Sequence, residues 1–232
     1  MNILEIKNLY KSFDEKQILK GVNFSIESGK IVGLLGKNGS GKTTIIKLIN
    51  DLLTIDSGEI LINGNKIGPE SKAIVSYLPE RSYLDKSKKV YQILNFFKDF
   101  YSDFDLEKAE KLLLELDLDK NLKLSKMSKG MLEKISLVLT MSRQAKLYIL
   151  DEPLGGVDPA TRDKILKTIL SNFGENSSLL ITTHLVSDVE KILDEVIFID
   201  NGEITIQSDA DELRKKEKCS IDEIFRRKFY VK

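Results

Sequence analysis

The nine residues GKNGSGKTT, Gly36–Thr44, hold three glycines, two lysines, a serine and two threonines. They follow the apolar run KIVGLLG and lead into TTIIKLINDLL, whose apolar spacing is helical. The stretch fits G-x-x-x-x-G-K-[ST], in the strand-to-helix setting that a phosphate-binding loop requires. Glycine permits positive φ and leaves room for a bulky anion against the backbone. Successive N–H groups then turn inward, and the following helix adds its positive end. Lys42 is expected to reach the outer phosphates and Thr43 to offer a hydroxyl to Mg²⁺.

Two further elements could complete phosphoryl chemistry. LYILDE ends an apolar run in Asp151 and Glu152, and a buried strand ending in carboxylates presents them at the sheet edge where ligands of α/β proteins sit. Asp151 would anchor Mg²⁺, directly or through water, and Glu152 would polarise an attacking water in line with the γ-phosphate. His184, the single histidine, closes a third such run, SLLITT. A neutral imidazole there would bond the γ-phosphate and hold the water-positioning carboxylate.

Positioning these groups takes strands that end at one edge. ILEIKNL and VNFSIESG alternate apolar and polar residues as half-buried antiparallel strands do, and Asn63-Gly64 predicts a hairpin. KIVGLLG, KLYILDEP and SSLLITTH read as buried strands with helices between them, the pattern of a parallel sheet; DEVIFIDNGEITI adds a final hairpin at Asn201-Gly202. Residues from about 83 to 141 are mainly helical. There Ile93, Phe96, Phe97, Phe100 and Tyr101 share one helix face, read as a core face, and Asp105 starts a second helix with Leu106, Ala109, Leu113 and Leu116 on one side. The charge-rich tail after about Asp211 reads as one short helix.

Lys+Arg and Asp+Glu are both 36, so the 232-residue chain lacks the basic excess of a sequence-independent nucleic-acid binder, and no nucleic-acid partner is expected. A single cysteine, Cys219, forbids an intramolecular disulfide and suits the cytosol. No apolar stretch approaches the ~18 residues of a bilayer span, so a membrane role has to come through a partner.

Together these motifs resemble the ABC-type ATPases, the nucleotide-binding subunits of ATP-binding-cassette transporters, from about Leu4 to Asp211. The resemblance implies an α/β fold: a P-loop ATPase core with a mostly parallel sheet, an N-terminal antiparallel β subdomain and an inserted helical subdomain. The expected boundaries are 1–211 for the ATPase domain, with the insertion at about 83–141, and 212–232 for a short tail. ATP and Mg²⁺ are the implied cofactors, with ATP held by Gly36, Lys37, Asn38, Gly39, Ser40, Gly41, Lys42, Thr43 and Thr44. Phe13 matches the aromatic that stacks on adenine, ahead of the less suitable Tyr10. MSKGM, holding Ser128, Lys129, Gly130 and Met131, matches the family signature, usually LSGGQ, that completes the opposite subunit's site. Ser128 alone reads equally well as a helix N-cap. Asp158, in GGVDP, matches the loop that links the two sites across the dimer.

Departures from the family pattern are informative. Glu80, in YLPERS, stands where a glutamine usually contacts Mg²⁺ and water, as it does in part of the family, often in exporter-type subunits. Its added negative charge near the γ-phosphate would slow closure, and Lys129 would offset it from the partner's side. The resemblance therefore implies an ATPase that dimerises on ATP, as a homodimer or with a second cassette. It would power a separate transmembrane permease from the cytoplasmic side of the cell membrane, with a lean towards export. A soluble ABC ATPase, for example of the iron–sulfur-assembly type, keeps the same motifs and stays open. A GTPase reading lacks the N-K-x-D motif, since NKIG at Asn65–Gly68 has no aspartate.

Overall fold

A computed structural model describes residues 1–155, 157–174 and 176–230. The chain opens with β1 (Asn2–Phe13) and β2 (Lys16–Glu27), followed by β3 (Ile31–Leu35), α1 (Lys42–Ile49), β4 (Ser57–Ile62) and β5 (Asn65–Lys66). A short α2 (Pro69–Ala73) leads to β6 (Val75–Leu78), and three longer helices follow: α3 (Val90–Phe100), α4 (Leu106–Glu115) and α5 (Lys129–Met141). The remainder alternates β7 (Leu147–Asp151), α6 (Pro159–Asn172), β8 (Ser178–Thr183), α7 (Val186–Val189), β9 (Glu195–Asp200) and β10 (Glu203–Asp209), before α8 (Ala210–Glu217) and α9 (Ile221–Phe229).

Two sheets result. The first, β2-β1-β4-β5, is antiparallel; the second runs β10-β9-β3-β8-β7-β6. All neighbours in the second are parallel except the edge pair β9–β10. The buried runs of β3, β7 and β8 explain this arrangement, because a strand covered on both faces has no polar side to show to water. Alternate residues point to opposite sides. Val32, Leu34, Ile149, Leu180 and Ile197 join α1 and the antiparallel sheet in one core, while Leu35, Leu150, Ile181 and Phe198 join the helices of the insertion and the C-terminal region in the other.

The strand missed in sequence is β6, four residues that complete the far edge of the sheet and pair with β7. The aromatic stripe of α3 also needs correction. Ile93 and Phe97 are buried, but Phe96 and Phe100 are 59% and 68% exposed and stack on each other with centroids 6.0 Å apart. Packed on α4 and α5, α3 buries a stripe narrower than its whole apolar arc, so two rings are left on the surface. Asp105 caps α4 as expected, accepting the Lys108 N–H at 2.9 Å. The C-terminal segment forms two helices rather than one, separated by Lys218 in the left-handed region (φ 54°).

Both predicted hairpins are present, with positive φ at Asn63 and Gly64 and at Asn201 and Gly202. The second also joins the sheets, since Lys20 N–H donates to the Gly202 carbonyl at 3.0 Å. Gly202 has φ +83°, and a Cβ there would lie 2.1 Å from the Ile18 carbonyl oxygen. Gly202→Ala should therefore cost about 2 kcal/mol or more in urea unfolding, through backbone strain and the clash together. A loss below about 0.5 kcal/mol, the size of a neutral surface change, would mean the hairpin can retreat from β2 freely.

Candidate active site

The loop after β3 is built to leave donors free. Gly41, at the N-cap of α1, has φ 112° and no capping side chain. A residue with a Cβ would be strained there and would meet Leu19 at 2.7 Å. The first-turn N–H groups thus stay available for an anion. Lys42 is 6% exposed, and its ammonium donates to the carbonyls of Gly36 (2.7 Å) and Lys37 (3.2 Å). Burial lowers the Lys42 pKa, while the carboxylates of Glu152, Asp151 and Glu80 push it the other way.

Asp151 ends β7 at 1% exposure. Its Oδ1 accepts the Thr182 hydroxyl at 2.7 Å and the Thr43 hydroxyl at 3.5 Å. Its Oδ2 is buried with no hydrogen-bond partner. An orphaned oxygen on a carboxylate whose other oxygen accepts the Thr43 hydroxyl of the phosphate loop fits a hydrated Mg²⁺ held jointly by protein and phosphates. Among the described residues no group of three or more His, Cys, Asp or Glu could cage a metal, and Mg²⁺ sites on nucleotides rarely need one.

Desolvation raises the Asp151 pKa, opposed by the hydrogen bonds from Thr182 and Thr43. An acid whose folded pKa is raised binds more protons folded than unfolded, so its ionisation costs stability as pH climbs from the unfolded value through the folded one. Asp151→Asn should accordingly raise the melting temperature at neutral pH, with the gain vanishing below about pH 4. The same change should remove Mg²⁺-dependent ATP binding. A variant less stable at pH 7, as read by thermal melts across pH, would refute this account of the buried carboxylate.

Glu152 lies one residue beyond β7 with φ 52°, an uncommon left-handed conformation for a side chain of its size. Contacts to Thr182 hold it there, with the Glu152 N–H shared between the Thr182 carbonyl and hydroxyl oxygens, each at 3.1 Å. The Glu152 carboxylate sits 4.0 Å from Lys42 Nζ, and its Oε2 is 2.9 Å from His184 Nδ1. An ionised carboxylate only accepts, so Nδ1 carries the hydrogen. A neutral ring has one N–H, and here it is committed to Glu152. This refines the expectation for His184: holding Glu152 is in the geometry, whereas donating to phosphate as well needs a second proton.

A cavity of about 910 Å³ opens over Lys42, Thr43, Glu152 and His184, whereas Asp151 lines the neighbouring groove, which shares Thr43 with it. Phe13, Lys16 and Ile18 form one wall and Asn38–Thr44 residues the floor, with Glu80, Glu152 and His184 beside them. Lys86, Lys129, Leu132 and Glu133 of the helical insertion form the far wall. Phe13 is 43% exposed and available for stacking, whereas Tyr10 does not line the cavity. Lys129 is paired with Glu133 at 3.6 Å. Ser128 caps α5, accepting the Met131 N–H at 3.2 Å, and a Cβ at Gly130 would make only an ordinary contact with Val157 at 3.9 Å. Asp158 caps α6 through Thr161. Within one chain, Ser128, Gly130, Met131 and Asp158 do not line this cavity, whereas Lys129 does.

Sequence reasoning missed Thr182, which ties Asp151 and Glu152 together, and Lys16 and Ile18, which flank Phe13. The paired threonines that close SLLITT were the available signal for Thr182.

A phosphate loop, a strand-end carboxylate pair and a histidine on one sheet edge define a P-loop nucleoside triphosphatase. Residues 19–155, more than half the chain, match the ABC transporter family, and the chain belongs to it. It is similar to the Bacillus subtilis ABC transporter ATP-binding protein YtrB, 34% identical over 217 residues that cover 92% of this chain and 74% of the relative. The linearmycin resistance ATP-binding protein LnrL of the same organism is 31% identical over 87% of this chain and 68% of the relative. A solved ATP-binding subunit of an ABC transporter superposes with TM-score 0.86 at 28% identity, covering 96% of this chain and 98% of that one. The chain is an ABC transporter ATPase, in which ATP hydrolysis is coupled to transport. Subunits of this family work with membrane permeases and as dimers.

Proposed function

We propose that two such ATPase chains close head-to-tail on ATP at the cytoplasmic face of the cell membrane and drive export through a separate membrane-spanning permease. One observation carries the coupling. Glu80 borders both the phosphate cavity and a second groove, of about 1120 Å³, that runs between the sheet edge and the helical insertion. That groove is lined by Leu52, Tyr83, Phe100 and Tyr101 with Lys47 and Arg143. Its exposed aromatics suit a partner helix, and movement of Glu80 on nucleotide binding would reach it directly. No helix among the described residues is long and apolar enough to cross a membrane, which is consistent with a separate permease. The direction rests on the Glu80 departure and on the resistance role in the name of the LnrL relative.

In the closed dimer, Phe13 stacks on adenine, and Lys42 with the loop N–H groups holds the phosphates. Thr43 and Asp151, with Glu80 nearby, would hold Mg²⁺, which would supply positive charge to offset that of the phosphates. Glu152 orients the attacking water and takes its proton, steadied by His184. Ser128, Lys129, Gly130 and Met131 close over the partner's γ-phosphate, and Asp158 links the sites. Catalysis is by positioning and electrostatics, with no covalent intermediate.

The test is detergent pull-down of the Glu152→Gln chain with ATP from its native membranes. An integral membrane protein at near-stoichiometric level is expected. Recovery only with a cytosolic complex would favour the soluble-scaffold alternative and overturn the transport reading.

A further inference from the structure

The C-terminal helices touch the nucleotide site from behind. Phe225 and Phe229 of α9 pack on Phe198 of β9, with ring centroids 6.1 and 6.0 Å away. Phe198 is paired in register with Leu35, the last residue before the phosphate loop. From that loop Lys37 extends towards the end of α9, placing Nζ 5.2 Å from the Tyr230 ring centroid and 5.9 Å from that of Phe229. Both lie within cation–π range. The main chain of Lys37 faces the other way, its carbonyl accepting the Ser40 N–H at 3.2 Å and the Lys42 ammonium at 3.2 Å. One residue thus has its side chain on α9 and its carbonyl on the lysine that receives phosphate.

The same helices hold the opposite flank. Asp222 N–H donates to Glu190 Oε2 at 3.0 Å, and the Arg214 guanidinium donates to the Glu190 carbonyl. Glu190 is the C-cap of α7, the short helix that starts just beyond His184. The two segments that flank the phosphates are therefore tied to one C-terminal unit, and neither tie passes through the helical insertion.

We propose that Tyr230 and Lys37 are positioning residues, through which the C-terminal helix clasps the phosphate loop in its nucleotide-ready shape. Pre-ordering the loop lowers the cost of ordering it when ATP binds. The proposal rests on the loop being the nucleotide site.

The experiment is calorimetric titration of MgATP into the full-length chain, its Tyr230→Ala, Tyr230→Phe and Lys37→Met variants, and the Tyr230→Ala/Lys37→Met double variant. Exposed cation–π contacts set the scale, so Tyr230→Ala should weaken binding about two- to fivefold. Tyr230→Phe, which keeps the ring, should bind as the wild type does. In the Lys37→Met background, Tyr230→Ala should have no further effect, because the partner is gone. Unchanged affinity in Tyr230→Ala, an equal weakening in Tyr230→Phe, or multiplicative losses in the double variant would each overturn the clasp. A wild-type chain that fails to bind MgATP would overturn the loop assignment and the clasp together.

Discussion

Lys42→Ala should lower ATP hydrolysis by about 10²–10³-fold, the cost of deleting one preorganised donor from a site where charge develops. The ammonium is buried, already desolvated, and held by two loop carbonyls at 2.7 and 3.2 Å. Phosphate oxygens that take the third N–H, left free by those carbonyls, meet a cation whose dehydration has been met during folding, which is why it acts more strongly than a surface lysine would. Its lowered pKa carries the same message: burial disfavours the charged form, and Glu152, Asp151 and Glu80 counter it. With a lowered folded pKa, the native chain binds fewer protons than the unfolded one up to the unfolded value near 10.4, so stability rises with pH across that window. Alanine removes that charge-burial penalty and should leave the fold intact. Steady-state phosphate release and nucleotide affinity, with a thermal melt as control, decide it. Hydrolysis within threefold of the wild type would dismiss the assigned role.

Glu152→Gln should reduce turnover by about 10²–10⁴-fold, the range for losing a positioned general base, while ATP binding persists. Glutamine keeps an oxygen that can accept from His184, now 2.9 Å from Glu152 Oε2, so the geometry survives. What is lost is the ability to take a proton from water. Removing a negative charge 4.0 Å from Lys42 also frees the ammonium for phosphate, which favours a long-lived ATP-bound dimer. Single-turnover phosphate release and the mass of the ATP-bound species in light scattering test both halves. Turnover within tenfold of the wild type would move the base elsewhere, with Glu80 the next carboxylate on the cavity.

Much of this site is local chemistry and therefore legible in sequence. GKNGSGKTT specifies its own loop, because glycine at Gly41 and a lysine and threonine opening a helix are enough to create an anion site. Apolar runs ending in Asp151, Glu152 and His184 place those groups at strand ends, since a strand buried on both faces must be apolar along its length. The paired Asn-Gly hairpins belong to the same class: two positive-φ residues dictate the turn.

Tertiary structure decided everything that depends on which neighbours meet. Thr182 became the tie between Asp151 and Glu152 only because β8 pairs beside β7 in register. Phe96 and Phe100 share a helix face with Phe97 yet stand in solvent, because α3 buries only the arc its neighbours cover. Lys37 reached Tyr230 across some 190 residues of chain only because α9 folds back over Phe198. Side-chain type and periodicity define what a segment offers. Which segment accepts the offer is set by sheet order and packing, and those are properties of the whole chain.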